Sequence, residues 1–162
     1  TEVVASTPVT RFNVAKLPAT ALNRASPNAD QAAMRDAVDK MDSFLGIVQV
    51  HVEACAETFP DMKPRLAPLL VDWRKRHATL REKTDILYTD LIRQRFPGIS
   101  NDGVLQFREA MRTGMRNALR KTAEALSRRN CELMPGRLTG DSYDPAKAKP
   151  EAYQLIINFP MR

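Results

Sequence analysis

Between Met34 and Phe59 the apolar residues Met34, Val38, Met41, Leu45, Val48, Val52, Cys55 and Phe59 alternate spacings of four and three. Side chains at that rhythm fall on one narrow stripe of an α-helix, and the stripe is stable only when other helices cover it. The fold class that follows is all-α, with this helix as the seam of a bundle. Its last turn carries one of only two cysteines in the chain. No motif along the sequence names a reaction or a ligand.

The neighbouring helices can be placed by their own rhythm and punctuation. The first long helix is expected to start near Asn28 to Asp30, where Ser26, Asn28 and Asp30 offer caps, and to end at Phe59 before Pro60. Gly46 lies off its seam and costs a little stability there unless another backbone approaches closely. A second helix spans about Asp61 to Phe96, with Leu66, Leu69, Leu70, Trp73, Leu80, Leu87 and Leu91 as its buried row. Pro68 gives it a kinked or delayed start, and Pro97-Gly98 ends it. Ser100, Asn101 and Asp102 cap a third helix that runs to about Met134 and is stopped by Pro135-Gly136. Its apolar positions are Val104, Phe107, Met111, Met115, Ala118, Leu119, Thr122 and Leu126, and Gly114 beside them is expected to admit a close neighbour. A loop follows from Gly136 to Pro150, and Glu151 to Phe159 are expected as a short final helix or an extended tail whose Leu155, Ile156 and Ile157 close an edge of the bundle. The architecture expected is therefore an up-down bundle of three long helices plus a short C-terminal helix over residues 28–162. Residues 1–27, with Pro8, Pro18 and Pro27, form an irregular N-terminal arm.

At 162 residues, 43% apolar and with six glycines, the chain fits one folded domain. No apolar run approaches the roughly 20 residues that span a bilayer. The sequence begins at Thr1 without a methionine, which suits a processed mature form and equally a trimmed one. A formal charge of +6 favours contact with nucleic acid, anionic lipid headgroups or an acidic protein, and of these an acidic protein or an anionic envelope component is the partner expected here. The charge is unevenly spread, because the first helix carries Asp36, Asp39, Asp42, Glu53 and Glu57 while the next two are basic.

If the three helices run up, down and up, Cys55 and Cys131 reach the same end of the bundle, and a disulfide between them is feasible. Closing about 76 residues contributes roughly 4.5 kcal/mol in the chain-entropy treatment and implies an oxidising compartment, periplasmic or secreted. The alternative is a pair of reduced thiols used as small apolar residues. His51 stands four residues before Cys55, but two cysteines and one histidine make a poor zinc set, and His77 lies too far down the second helix to join them. Met34, Met41, Met111 and Met115 are expected to fill the core, so no cofactor and no metal are assigned. Asp141 and Asp144 in the late loop suit ordinary turn hydrogen bonds better than a cation.

The most distinctive polar feature is Arg108, Arg112, Arg116 and Arg120, four arginines at successive steps of four on the third helix. Like charges at this spacing repel by a few tenths of a kcal/mol per pair, so carboxylates within the bundle or an external anion must meet them. They form the best candidate for a partner-binding or anion-binding surface, with neutralisation by the acidic first helix as the competing reading. Nucleic acid is disfavoured, since there is no helix-turn-helix signature and few aromatics to stack bases.

The run Cys55-Ala56-Glu57-Thr58-Phe59-Pro60, then Trp73-Arg74, then Cys131 before a Gly- and Asp-containing loop resembles small exported helical proteins of Gram-negative bacteria that have no assigned function. The resemblance implies a periplasmic location and carries no functional residues. Taken together, the sequence leads us to expect a monomeric or weakly oligomeric, non-catalytic binding protein. A toxin-neutralising inhibitor is one specific form of that expectation. An enzyme using a cleft around His77 or His51 is the alternative from another class.

Overall fold

The structure, a computed structural model, describes residues 27–161. The expected N-terminal arm lies outside the described residues except for Pro27, which opens the first helix. The elements are α1 (Pro27–Thr58), a 3-10 turn (Pro60–Met62), α2 (Lys63–Arg76), α3 (Ala78–Arg95), α4 (Asn101–Lys121), α5 (Arg128–Cys131), α6 (Met134–Thr139), α7 (Pro145–Ala148) and α8 (Pro150–Ile157). No strand occurs among the described residues, so the all-α class holds.

The α1 seam is the centre of the core. Met34, Val38, Met41, Leu45, Val48, Val52 and Cys55 are all buried, and Phe59 is half-buried just beyond the helix end. Burial of α1 extends beyond that stripe, because Ala37, Val50 and Ala54 are also enclosed. Gly46, Val50 and Ala54 fall at steps of four and so share one flank of the helix. Against that flank lies α4: a Cβ placed on Gly46 would sit 3.2 Å from Met115 Cε. A side chain is thus what approaches Gly46. The other glycine expected to admit a neighbour, Gly114, has nothing within 4 Å of where a Cβ would stand.

The second helix expected from the sequence is two helices. Pro68 lies inside α2 without ending it; both Pro68 and Pro64, whose carbonyl loses a donor, are exposed, so the missing bond falls on the solvent side. The interruption comes nine residues later at His77, with φ −112° and ψ 23°. The backbone is offset there without being opened: His77 N donates to Trp73 O at 3.2 Å and Arg81 N donates to His77 O at 2.9 Å. The buried row Leu66, Leu70, Trp73, Leu80, Thr84 and Leu87 repeats every three and a half residues, whereas a straight α-helix drifts about 20° per heptad from such a stripe. A break near its middle lets both halves keep facing α1. Thr84 satisfies its buried hydroxyl by donating to Leu80 O at 2.8 Å.

The third helix begins as expected, with Ser100 Oγ accepting from Gly103 N at 3.0 Å after the turn at Gly98, whose φ of 85° suits glycine. It ends thirteen residues before Met134, at Lys121. Thr122 turns to an extended conformation, and the Ala125 carbonyl then accepts from Asn130 Nδ2 at 2.8 Å and meets His51 Nε2 at 2.7 Å. Ser127 Oγ accepts from Asn130 N and restarts the chain as α5. Pro135-Gly136, expected as a stop, instead occupies the first turn of α6, where a proline without an N–H is tolerated. The expected loop from Gly136 to Pro150 holds α6 and α7 and is fastened to α2, since Trp73 Nε1 donates to Tyr143 O and Arg76 Nη2 to Leu138 O, both at 2.7 Å.

The last helix is present as expected. Ala152, Ile156 and Phe159 are buried, and α8 lies mainly against α1. Lys83 Nζ of α3 donates to Ile157 O at 2.6 Å, putting a cation on the negative end of α8. A disulfide joins Cys55 to Cys131 with both residues fully buried.

Candidate functional site

Helix α4 carries the arginine row, and its attachment to the core is thin. Of the eight positions expected to be buried along the third helix, only Val104 is fully so. Phe107, Met115, Leu119 and Leu126 are half-buried, while Met111, Ala118 and Thr122 are exposed. Polar contacts with α1 supply much of the remaining attachment. Arg108 Nη2 donates to Asp42 Oδ1 at 2.7 Å and to Asp85 Oδ1 at 2.8 Å, and its guanidinium lies 4.8 Å from the centre of the Tyr88 ring. Arg116 stands 3.7 Å from Glu53, which also meets Arg74 at 3.4 Å, and Arg120 stands 3.8 Å from Glu57.

Partner numbers on α1 and α4 rise together, from 42 with 108 to 57 with 120, so these two helices lie side by side in the same sense. Those of α2 and α3 fall as α1 advances, from Arg74 beside Gln49 and Glu53 to Asp85 near Asp42. The acidic flank of α1 is thereby wedged between two basic surfaces. Three of the four arginines are spent on internal carboxylates, which offsets their mutual repulsion.

These pairs differ in burial, and that decides their worth. Side-chain exposure is 13% for Arg108 and 18% for Asp42, against 56% and 64% for Arg120 and Glu57. The outer pair contributes little in water, whereas the inner one is a desolvated contact. Burial pushes the Asp42 carboxyl above its ordinary value, against the opposing pull of Arg108 and, more weakly, Arg112. Tyr88 is likewise pushed up, first by burial and then by Asp42 and Asp39.

Arg112 forms no ion pair among the described residues. It lines a cleft of about 30 Å³ between α1, α3 and α4, together with Arg81, Arg108, Asp42, Asp85 and Gly46. Arg81 has no ion-pair partner among the described residues either. No sequence pattern singles out Arg81, since its neighbours Arg74, Lys75, Arg76 and Lys83 are equally basic; only the register of α3 against α4 sets it in the same cleft as Arg112. A wider groove of about 720 Å³ lies toward the start of α1, bordered by Asp36, Asp39, Arg95, Phe96, Phe107 and Met111.

The remaining candidates occupy structural positions. Met34 and Met41 are fully buried in the core. His51 meets the Ala125 carbonyl that shapes the chain after α4. His77 is edge-on to Trp73, with ring centres 5.5 Å apart, and burial lowers its pKa while Asp144 pulls it back up. Asp144 Oδ1 accepts from Ala146 N as the cap of α7, and Asp141 lies 3.7 Å from Lys147. Among the described residues no group of three or more His, Cys, Asp or Glu side chains stands close enough to hold a metal ion, and no helix is long and apolar enough to cross a membrane.

Comparison with protein-family models, with curated proteins and with solved structures finds no match to this chain.

Proposed function

We propose that this chain is a non-catalytic binding protein of an oxidising compartment, periplasmic or secreted, that meets an acidic protein or an anionic envelope component along the α3–α4 flank. In this reading α2 and α3 act as one interrupted rod, so that three rods run up, down and up around the α1 seam. The observation that carries the proposal is the contrast within the arginine row. Arg108, Arg116 and Arg120 face carboxylates of the same chain, while Arg112, with Arg81 across the cleft, has a guanidinium free to meet an external anion. The buried Cys55–Cys131 disulfide supports the compartment. Neutralisation of a toxin that presents an acidic contact surface is a special case of the same proposal.

The test is capture from a periplasmic extract with the whole chain as bait, with the Arg112→Glu variant as control and rising NaCl as competitor. A partner retained by the native chain, shed as salt rises and lost with Arg112→Glu supports the reading. Retention that ignores both the charge reversal and the salt refutes this surface.

A further inference from the structure

We propose that the cleft between α1, α3 and α4 is a seat for a single carboxylate group. Its charged lining is Arg81, Arg108 and Arg112 against Asp42 and Asp85, which is three positive charges against two negative and leaves an excess of one. Both carboxylates already accept from the same nitrogen, Arg108 Nη2, at 2.7 and 2.8 Å. The other terminal nitrogen of that guanidinium, Nη1, is buried and has no acceptor among the described residues. That nitrogen is closed to solvent, so an oxygen ligand in the cleft is met by the guanidinium groups of Arg81 and Arg112, which line it and form no ion pair among the described residues.

Size narrows the class. A volume of about 30 Å³ accommodates about two water-sized positions, which matches the two oxygens of one carboxylate and is far below the several hundred Å³ of a pocket for a larger organic ligand. Charge narrows it further, since one negative charge balances the excess while a phosphate dianion overshoots it beside Asp42 and Asp85. Gly46 contributes by absence of a side chain, because the space its Cβ would claim is taken by the Met115 thioether, which lines the cleft together with Leu45 and Met111.

This inference deepens the proposed function by naming the group recognised, yet it is testable without any macromolecular partner. The experiment is an NMR titration of the isotopically labelled full chain with sodium acetate, with sodium chloride and sodium phosphate at matched ionic strength as comparisons. The expected result is saturable shifts with acetate at the Gly46 amide and at the Nε–H groups of Arg81 and Arg112. Chloride at the same concentrations should give only small linear drifts. Arg112→Gln and Arg81→Gln should each weaken acetate binding by about tenfold, the loss of one charge-assisted hydrogen bond. Both side chains are partly exposed, so either variant carries the test if the other folds poorly.

Acetate shifts that never saturate, that chloride reproduces, or that persist in both variants overturn the seat. Tighter binding of phosphate than of acetate overturns the carboxylate assignment. Displacement of acetate by a short glutamate-rich peptide supports a partner's side chain as the source. Acetate binding that such a peptide leaves untouched overturns that source in favour of a small free acid. Saturable acetate binding in a chain that captures no salt-sensitive partner would leave the seat standing while the wider binding function fails.

Discussion

Replacing Arg108 by methionine isolates the one desolvated charge contact on which α4 depends. The methionine keeps most of the apolar stem, so the change removes the guanidinium without opening a large cavity. Taking away one member of a buried pair generally costs 3–5 kcal/mol, mainly because the other charge stays behind in a poor solvent. Here that charge is Asp42, 18% exposed and with only the more distant Arg112 to help it. The bond to Asp85 adds little, since that carboxylate is 57% exposed and bonds at this exposure contribute about 0–1 kcal/mol. The expected loss is therefore about 3 kcal/mol, or about 6–12 °C in Tm for a chain of this size.

Urea unfolding of the native chain, Arg108→Met, Asp42→Leu and the double variant measures it as a cycle. The double variant, which removes both charges, should recover most of the loss and lie within about 1 kcal/mol of the native chain. The deficit of Arg108→Met should also shrink in acid, because an Asp42 without its cation takes up a proton at higher pH and then no longer carries a buried charge. A single-variant loss below about 1 kcal/mol, or a double variant that costs the sum of its parts, would refute the view that this pair is buried and mutually dependent.

Other outcomes follow from the same geometry. Cys55→Ala with Cys131→Ala should lower the urea-derived stability by about 4.5 kcal/mol, the entropy of a 76-residue loop, and a reductant should have no further effect on that variant. Gly46→Ala should be close to neutral in thermal melts, because a helix gain of about 1 kcal/mol is set against a Cβ placed 3.2 Å from the flexible end of Met115; Gly46→Leu should cost more than about 2 kcal/mol by lifting α4. His77 has a folded pKa lowered by burial from 6.5, so the unfolded chain takes the proton first and stability falls as pH drops from about 7 through that window. Unfolding midpoints of His77→Gln should fall less over the same range; an unchanged pH profile would remove His77 from the account. Below that window Asp42 acts in the opposite sense, because a folded pKa raised above 3.8 makes stability rise as the pH falls through it.

How much of this was legible in the sequence depends on the range of the forces involved. The α1 seam was readable because seven of its eight apolar residues are fully enclosed by the periodicity that marks them. The starts of α4 and α8 were readable from local chemistry, the Ser100 cap and Pro150. The two helix breaks were not. Nothing between Thr122 and Ser127 breaks a helix by itself; what fixes the turn is a carbonyl met by His51, 74 residues away. His77 gives no local signal either, whereas Pro68, which does, is harmless because it points to solvent. The arginine row was conspicuous as a pattern, yet its division into three paired members and Arg112 depends on where Asp42, Glu53 and Glu57 fall along a parallel neighbour. Gly46 stood out in the sequence as a place for close approach, but only the register of α4 shows that the Met115 side chain, and not another backbone, fills it.

The covalent link at Cys55 and Cys131 also divides the chain topologically. It makes a closed ring of α2, α3, α4 and α5, while α6, α7, α8 and most of α1 hang outside as two open ends. Those ends hold each other, for α8 rests on α1 and is latched by the single Lys83 ammonium at its final turn. Because Ala152, Ile156 and Phe159 are buried there, the two open ends close the core outside the ring, and amide exchange in α8 should be as slow as in the α1 seam it covers.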